Sequence, residues 1–187
     1  MVHIIFVRHA ESTNNFKKEY SDNNPDLTEL GYKQAKIVCQ HLKEKLKNRP
    51  FKIMTSPLKR AILTAEPLLK HVDQEYEINE MLIEFSFAKK ASWKEFTNTI
   101  AQVVTRLENH SDDVPIVIFG HSIYLSCLIS YIASAKIGFL EKRDLAFRIP
   151  NAAITTCTFD KSKSKWKILN VAAIDHLPQE IQSGIEN

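Results

Sequence analysis

A guanidinium and an imidazole follow the first apolar segment of the chain. Residues 3–7 include a β-branched, apolar run that predicts a short buried strand, and Arg8 and His9 come directly after it. Ligands of open α/β sheets bind beyond the carboxyl ends of the strands, so this pair is well placed to bind an anion. The simpler alternative is a strand that ends in a charged surface turn. The rest of the chain favours the anion site.

Two further predicted strands end on residues of the same kind. Arg60 lies in the first turn of a helix that follows a strand predicted at residues 51–55. His121 follows an apolar strand predicted at residues 115–119. If these strands are parallel neighbours, their ends lie at one edge of the sheet. Two arginines, two histidines and helix N-termini at that edge would bind a dianionic phosphate.

This set of side chains predicts phosphoryl-transfer chemistry. One imidazole would attack phosphorus as a covalent nucleophile, and the second would stabilise the equatorial oxygens in the transition state. A carboxylic acid is then needed to protonate the leaving oxygen. Neither a metal ion nor another cofactor is required if the cationic side chains carry the charge.

The predicted elements alternate between strands and helices. Helices are expected from Thr28 to about residue 48, from Ser56 as N-cap (with Pro57 first in the helix) to about residue 71, at residues 93–108 and at residues 123–135. An extended hairpin is expected at residues 152–173. This order predicts an α/β fold, a three-layer sandwich with a largely parallel central sheet, helices on both faces and a C-terminal antiparallel hairpin. We expect one domain over residues 1–187, with a loose polar tail at residues 179–187.

Composition and charge narrow the class of protein. The chain has 187 residues, of which 44% are hydrophobic and 25% charged, and a formal net charge of +3. This charge suits an anionic substrate and does not indicate nucleic acid binding. The three cysteines lack metal-site spacing, which predicts reduced thiols in a cytoplasmic protein. No apolar run is long enough to span a membrane, so no membrane partner is expected. The sequence leaves the oligomeric state open.

Four motifs occur along the chain in the order of a known protein family. They read Val-Arg-His-Ala-Glu-Ser at residues 7–12, Leu-Thr-Glu-Leu-Gly-Tyr-Lys-Gln-Ala at residues 27–35, Ser-Pro-Leu-Lys-Arg-Ala-Ile-Leu-Thr-Ala at residues 56–65 and Gly-His-Ser at residues 120–122. Asp-His-Leu at residues 175–177 closes the series. Together the motifs resemble those of the histidine phosphatase superfamily, the phosphoglycerate mutase-like proteins, in its small phosphatase branch. The resemblance covers most of the chain.

The resemblance implies a phosphomonoester hydrolase that acts through a phosphohistidine intermediate. Its substrate would be a small phosphorylated metabolite or a phosphoprotein. His9 would be the nucleophile, and Arg8, Arg60 and His121 would bind the phosphoryl group, with His121 also taking part in catalysis. Asn15 would contribute a side-chain amide to the same group.

The proton donor of this family lies in a Leu-x-Glu segment between the second and third helices. Residues 82–84 read Leu-Ile-Glu, so the resemblance implies Glu84 as the donor, with Glu80 as the rival. Ala10 replaces the glycine of the family signature, and the glycines that usually follow the donor segment are absent. Because the interval before the third helix is short, we expect a small cap and an open pocket.

Three other functions fit part of the sequence. A phosphoglycerate mutase-type phosphotransferase would share the motifs, but mutases also need extra basic residues and a lid, which longer insertions usually supply. A serine hydrolase would use Ser122, but Tyr124 stands where the nucleophile elbow needs a glycine, and Arg8 and Arg60 would have no role. A phosphate-binding protein without activity would require a loss of catalysis, although all the catalytic residue types are present.

Overall fold

Strands and helices alternate in the structure, a computed structural model that describes residues 1–19, 22, 24–47, 49–70, 76–85, 92–110, 114–134 and 146–185. The strands are β1 (Val2–Arg8), β2 (Lys52–Thr55), β3 (Tyr76–Ile78), β4 (Ile116–Gly120), β5 (Ile154–Asp160) and β6 (Lys165–Ala173). The α-helices are α1 (Thr13–Lys17), α2 (Glu29–Leu46), α3 (Lys59–Leu69), α4 (Trp93–Glu108) and α5 (Ser122–Ser134). Short 3-10 helices lie at Glu80–Leu82, Lys161–Lys163 and Gln179–Ile181. Within the described ranges, no helix combines the length and the apolar character that crossing a membrane requires.

The described strands form one mixed sheet in the order β3-β2-β4-β1-β5-β6. The pairs β2–β3, β2–β4 and β1–β4 are parallel, whereas β5 is antiparallel to β1 and to β6. Arg8 pairs with Gly120, and Thr55 pairs with Phe119, so the carboxyl ends of three parallel strands lie side by side. The predicted sheet and its C-terminal hairpin are therefore confirmed.

The core lies on both faces of the sheet, because successive side chains of a strand point in opposite directions. On β1, Ile4 and Phe6 pack into a cluster with α4 and α5, and Ile5 and Val7 pack into a second cluster with α2 and α3. The four side chains are at most 4% exposed. The prediction of helices on both faces is thereby confirmed.

The start of α3 differs from the sequence prediction of Ser56 as N-cap and Pro57 as the first helical residue. The N-cap residue is Leu58, and its side chain makes no capping hydrogen bond. Ser56 instead extends the edge of the sheet, because its N–H donates to the Phe119 carbonyl at 3.0 Å. Arg60 still lies in the first turn of the helix, as predicted.

Two short elements have no counterpart in the sequence prediction. The helix α1 has five residues and the strand β3 has three, which is too few for a hydrophobic period to show. The predicted ends of two helices, near residues 71 and 135, lie outside the described residues.

The sequence predicts a loose tail from residue 179, and the structure gives residues 179–185 defined contacts. The side chain of Gln34, which is fully buried, donates to the Ile181 carbonyl at 2.7 Å and to the Ser183 hydroxyl at 2.9 Å. The Ser183 carbonyl accepts a hydrogen bond from the Asn151 backbone at 3.1 Å. The polar composition of the tail could not reveal these partners, since they lie far away along the chain. Residues 186 and 187 are outside the described ranges.

Candidate active site

The site is built where the parallel strands β1, β2 and β4 end. The His9 backbone donates to the Gly120 carbonyl at 2.8 Å, which continues the ladder between β1 and β4 by one residue. Ser56 extends β2 in the same way, and His121 follows β4 directly. The structure therefore brings the polar ends of three strands to one edge of the sheet, as predicted from the sequence.

The orientation of the His9 ring is defined by two contacts. Its Nδ1 lies 2.7 Å from the Ala10 carbonyl oxygen, which can only accept, so Nδ1 carries the proton of the neutral ring. Its Nε2 accepts a hydrogen bond from Nε of Arg60 at 3.1 Å. The side chain is 3% exposed. The lone pair of Nε2 is thus directed toward the Arg60 guanidinium.

His121 lies against His9 at the centre of the site. The two ring centroids are 5.2 Å apart, and the ring planes are inclined by 58°. Nε2 of His121 lies 2.8 Å from the hydroxyl of Ser56, and both residues are fully buried. That hydroxyl also accepts from the Leu58 backbone at 3.3 Å, and it can donate to His121 or accept from it according to the tautomer of the ring. Ser56 is part of a motif identified in the sequence, but its contact with His121 was not predicted.

Arg8 and Arg60 supply the positive charge around the two rings. Arg8 donates from Nη1 to the Ile149 carbonyl at 2.6 Å, which ties its guanidinium to the segment before β5. The pKa values of His9 and His121 both lie well below the usual histidine value, first because of burial and then because of the charges of Arg60 and Arg8. Both imidazoles are therefore neutral near pH 7.

Glu84 is brought to the site by the first turn of α5. One carboxylate oxygen accepts from the Ile123 backbone at 3.2 Å, and the other accepts from the Tyr124 backbone at 3.0 Å. These N–H groups have no partner within the helix, so an acidic side chain is stabilised there. Because His121 directly precedes α5, the carboxylate is bound at the end of the helix that adjoins the second histidine of the site.

The two candidate proton donors have different environments. Glu80 is exposed, whereas Glu84 is partly buried and interacts electrostatically with Arg60. Burial raises the pKa of the Glu84 carboxyl, against the opposing effect of its backbone donors and of Arg60. The structure places Glu84, rather than Glu80, among the other site residues.

Asn15 lies on α1, and its side-chain oxygen is saturated with donors. The backbone and hydroxyl of Ser12 donate to Oδ1 at 3.1 and 3.0 Å, and Nδ2 of Asn151 donates to it at 3.2 Å. Asn151 also donates to the His9 carbonyl at 3.3 Å. Asn151 was not predicted from the sequence, because it belongs to none of the motifs and lies 142 residues from His9.

Motif residues from two helices hold the loop that follows His9. The Ala10 backbone donates to the Thr64 hydroxyl on α3 at 3.0 Å, and the Glu11 backbone donates to Gln34 on α2 at 2.8 Å. The Thr28 hydroxyl donates to the Glu11 carboxylate at 2.8 Å. A Cβ at Gly31 would overlap the Glu11 carbonyl oxygen, so only glycine permits this approach of α2. These contacts give a physical reason for the threonine, glycine and glutamine positions of the motifs.

Comparison with known proteins identifies the family. The family model described as histidine phosphatase superfamily (branch 1) matches residues 4–91 and 88–172. The chain belongs to the histidine phosphatase superfamily, which confirms the family that its motifs resemble.

Individual relatives are phosphatases by name. Phosphoserine phosphatase 1 of Hydrogenobacter thermophilus is 40% identical over 85 residues, which is 45% of this chain and 39% of that protein. The structure is similar to phosphoserine phosphatase from Entamoeba histolytica, with a TM-score of 0.75, 22% identity, and coverage of 95% of this chain and 100% of that chain. A putative α-ribazole-5′-P phosphatase from Escherichia coli gives a TM-score of 0.73 at 20% identity, covering 93% and 99% of the two chains. At these identities the solved structures show a shared fold.

Proposed function

We propose that the protein hydrolyses phosphomonoesters in two steps, through a phosphohistidine at His9. The observation that carries this proposal is the pair of contacts that fixes the His9 ring, Nδ1 against the Ala10 carbonyl and Nε2 against Arg60. The ring presents an unprotonated nitrogen beside a guanidinium that would bind phosphoryl oxygens. Family membership supports the same reaction.

In the first step, His9 Nε2 attacks phosphorus, and the bond between phosphorus and the ester oxygen breaks. The electron pair of that bond leaves with the alkoxide, which takes a proton from Glu84. The raised pKa of Glu84 supports this role, since a larger fraction of the carboxyl is protonated than at an exposed site.

In the second step, a water molecule attacks the phosphorus of the phosphohistidine. The carboxylate of Glu84 takes one proton of that water, the bond between nitrogen and phosphorus breaks, and the electron pair returns to Nε2. Inorganic phosphate leaves, and both side chains regain their starting states. One carboxyl thus serves as acid and then as base.

The charge on the phosphoryl group is balanced by side chains in this scheme. Arg8 and Arg60 bond the phosphoryl oxygens, and His121 stabilises the equatorial oxygens in the transition state. Asn15 supplies its side-chain amide. We expect activity without an added metal ion, since two guanidinium groups supply positive charge and the His121 and Asn15 side chains supply further hydrogen bonds.

The proposed substrate is a small phosphorylated metabolite, and a phosphoprotein remains the second choice. Phosphoserine and α-ribazole 5′-phosphate are the first compounds to screen, because the relatives are named for them. We further propose a cytoplasmic protein in which residues 1–187 form one catalytic domain, as the continuous sheet supports. A role for Ser122 as nucleophile has less support, since Nε2 of His121 is bonded to Ser56.

The test is phosphate release from para-nitrophenyl phosphate in the presence of EDTA. The wild-type protein is expected to turn over, and His9→Ala is expected to release phosphate at the background rate. His3→Ala, which removes an exposed histidine of β1, is the matched control and should retain full activity. Activity that persists in His9→Ala would overturn the phosphohistidine mechanism. An inactive wild-type protein would overturn the proposal that the protein is a phosphatase acting on general phosphomonoesters.

A further inference from the structure

Asn151 lies between two parts of the candidate site, in the segment before β5. It is 1% exposed, and its Nδ2 donates to the His9 carbonyl at 3.3 Å and to Oδ1 of Asn15 at 3.2 Å. The Ala152 backbone donates to the same His9 carbonyl at 3.3 Å. Asn151 is therefore in contact with both His9, which follows β1, and Asn15 on α1, which is expected to bind phosphate.

The partners of these two amides fix which end of each is nitrogen. The His9 carbonyl only accepts, so the atom of Asn151 that faces it must be Nδ2. The Ser12 backbone only donates, so the atom of Asn15 that faces it must be Oδ1. A flipped Asn15 would place its NH2 group against two donors, the Ser12 N–H and Nδ2 of Asn151, and both contacts would be lost.

Asn151 is itself held from the other side. Its backbone donates to the Ser183 carbonyl at 3.1 Å, and the Ser183 hydroxyl donates to Oδ1 of Asn151 at 3.5 Å. Ala152 has a positive φ of 55°, so the backbone turns sharply at this point. The Asn151 amide is thus fixed before any ligand arrives.

We propose that Asn151 is a positioning residue. It holds the side-chain amide of Asn15 so that the Nδ2 protons of Asn15 are directed to a phosphoryl oxygen of the substrate. This proposal rests on the proposed function of the site. Oδ1 of Asn15 is engaged by its three donors, and none of the hydrogen bonds among the described residues uses Nδ2 of Asn15. The NH2 group of Asn15 can therefore donate a hydrogen bond to an anion.

A double-mutant cycle tests the proposal with inorganic phosphate as the probe. Dissociation constants are measured by calorimetry for the wild type, Asn15→Ala, Asn151→Ala and the double variant. We expect each single variant to weaken phosphate binding about 10- to 100-fold, as the loss of a hydrogen bond to a charged group does. The double variant should be no weaker than Asn15→Ala, because Asn151 acts through Asn15.

The matched control is Asn170→Ala in the hairpin. Asn170 also pairs its amide with a neighbour, since Oδ1 accepts from the Thr156 backbone at 2.9 Å and Nδ2 donates to the Thr156 hydroxyl at 3.3 Å. Within the described part of the chain, its side chain forms no hydrogen bond with the site residues named above, so its loss should leave phosphate binding unchanged.

A second variant, Asn151→Asp, keeps the shape of the side chain and replaces the donor. The carboxylate faces two acceptors, the His9 carbonyl and Oδ1 of Asn15, so phosphate binding should be weakest at high pH. When the carboxyl is protonated at lower pH, it can donate again, and binding should recover relative to the wild type. Asn170→Asp should follow the pH dependence of the wild type. Because a carboxylate at this position also repels phosphate directly, the recovery is a requirement of the proposal, and the double-mutant cycle decides whether Asn151 acts through Asn15.

The outcomes separate this proposal from the proposed function. Additive effects in the cycle, or no recovery of Asn151→Asp at low pH, would overturn the role of Asn151. A wild-type protein that binds phosphate but hydrolyses no ester would overturn the proposed function alone, and the cycle would still be decisive. If neither Asn151 variant folds, NMR of the wild-type Asn15 amide replaces the cycle, and an Nδ2 signal that phosphate does not shift would overturn the proposal. Failure of the wild type to bind phosphate would overturn both.

Discussion

Arg60 donates its Nε–H to Nε2 of His9 at 3.1 Å, so a cation lies directly beside the nitrogen that would attack phosphorus. The two residues come from different strand ends, and each is expected to bind or attack the same phosphoryl group. Burial is the largest cause of the lowered pKa of His9, and the charge of Arg60 adds to it by disfavouring the protonated ring. In the proposed mechanism, the side chain that helps to keep the nucleophile unprotonated also binds the anion that the nucleophile attacks.

Removal of Arg60 is expected to have two effects. Arg60→Ala should weaken phosphate binding about 10- to 100-fold, as loss of a charge-assisted hydrogen bond does. The pKa of His9 should rise, so the acid limb of the kcat/KM profile should move to higher pH. Arg60→Lys should keep the position of the limb and lose affinity, since lysine cannot bond two oxygens as a fork. The pH profiles of the three proteins provide the measurement.

The control for this prediction is Lys59→Ala on the adjacent position of α3. Lys59 forms an ion pair with Asp26 at 2.6 Å. The Lys59 side chain is exposed, so its charge is screened by water far more than the charge of Arg60 is. Its removal changes the net charge by the same amount. If Lys59→Ala shifts the acid limb as far as Arg60→Ala does, the effect is one of general charge and not of the contact with His9.

The carboxyl of Glu84 should matter most for substrates with a poor leaving group. Glu84→Gln retains one oxygen as an acceptor for the first turn of α5, loses the acceptor for the second backbone N–H, and cannot transfer a proton. Hydrolysis of an alkyl phosphate should fall about 10²- to 10⁴-fold, and hydrolysis of an aryl phosphate should fall much less. Because protonated Glu84 is the active form in the first step, the wild-type rate should decline as pH rises through its raised pKa. Steady-state kinetics with both esters check these points.

Glu80→Gln is the matched control, because Glu80 is exposed and was the rival donor in the sequence. It should retain both activities. A loss confined to alkyl phosphates in Glu80→Gln, with Glu84→Gln unaffected, would reverse the assignment of the donor.

The sequence predicted those parts of the molecule that depend on local periodicity. The apolar run within residues 3–7 predicted a buried strand, and the alternation of strands and helices along the chain predicted helices on both faces of the sheet. Thr28 was predicted to cap α2, and it accepts from Gly31 at 3.0 Å. The parallel order of the strands then explains why Arg8, His9 and His121 converge, without any knowledge of loop structure.

The contacts between residues that lie far apart along the chain could not be predicted from the sequence pattern alone. Glu84 was named through the resemblance to a family, and its binding to the N-terminus of α5 depends on a turn whose path the sequence does not reveal. Ser56 was expected to cap a helix, yet its hydroxyl contacts His121 across two strands. Asn151 and Ser183 meet through long-range packing, so neither carries a local signal.

The stability of the fold should decrease in mild acid. Burial, with the nearby His41, lowers the pKa of His176 to about 4, and the two rings stack with centroids 5.1 Å apart. The unfolded chain binds this proton near pH 6.5, so the unfolded state binds more protons between about pH 4 and 6.5. The free energy of unfolding should therefore fall as pH falls through this window. The lowered pKa values of His9 and His121 act in the same direction.

Urea unfolding at about pH 7 and about pH 5 measures this loss. His176→Phe keeps a ring against His41 and removes the titrating group, so its stability should change less between the two pH values than that of the wild type. His3→Phe makes the same chemical change at an exposed position and should retain the wild-type pH dependence. Equal losses in all three proteins would show that His176 does not contribute.

Gly184 should be sensitive to the smallest substitution, although it lies in the segment predicted as a loose tail. Its φ is +73°, and an added Cβ would lie 2.6 Å from Oδ1 of Asn151 and 3.0 Å from Nη1 of Arg8. Gly184→Ala should therefore displace two site residues and weaken phosphate binding about tenfold or more. It should also lower the free energy of unfolding by about 1 kcal/mol, because alanine is strained at positive φ. Gly120→Ala is the comparison for stability, since among the described residues its Cβ would meet Leu125 alone, at an ordinary 3.8 Å. If calorimetry finds wild-type phosphate affinity in Gly184→Ala, the tail does not brace the site.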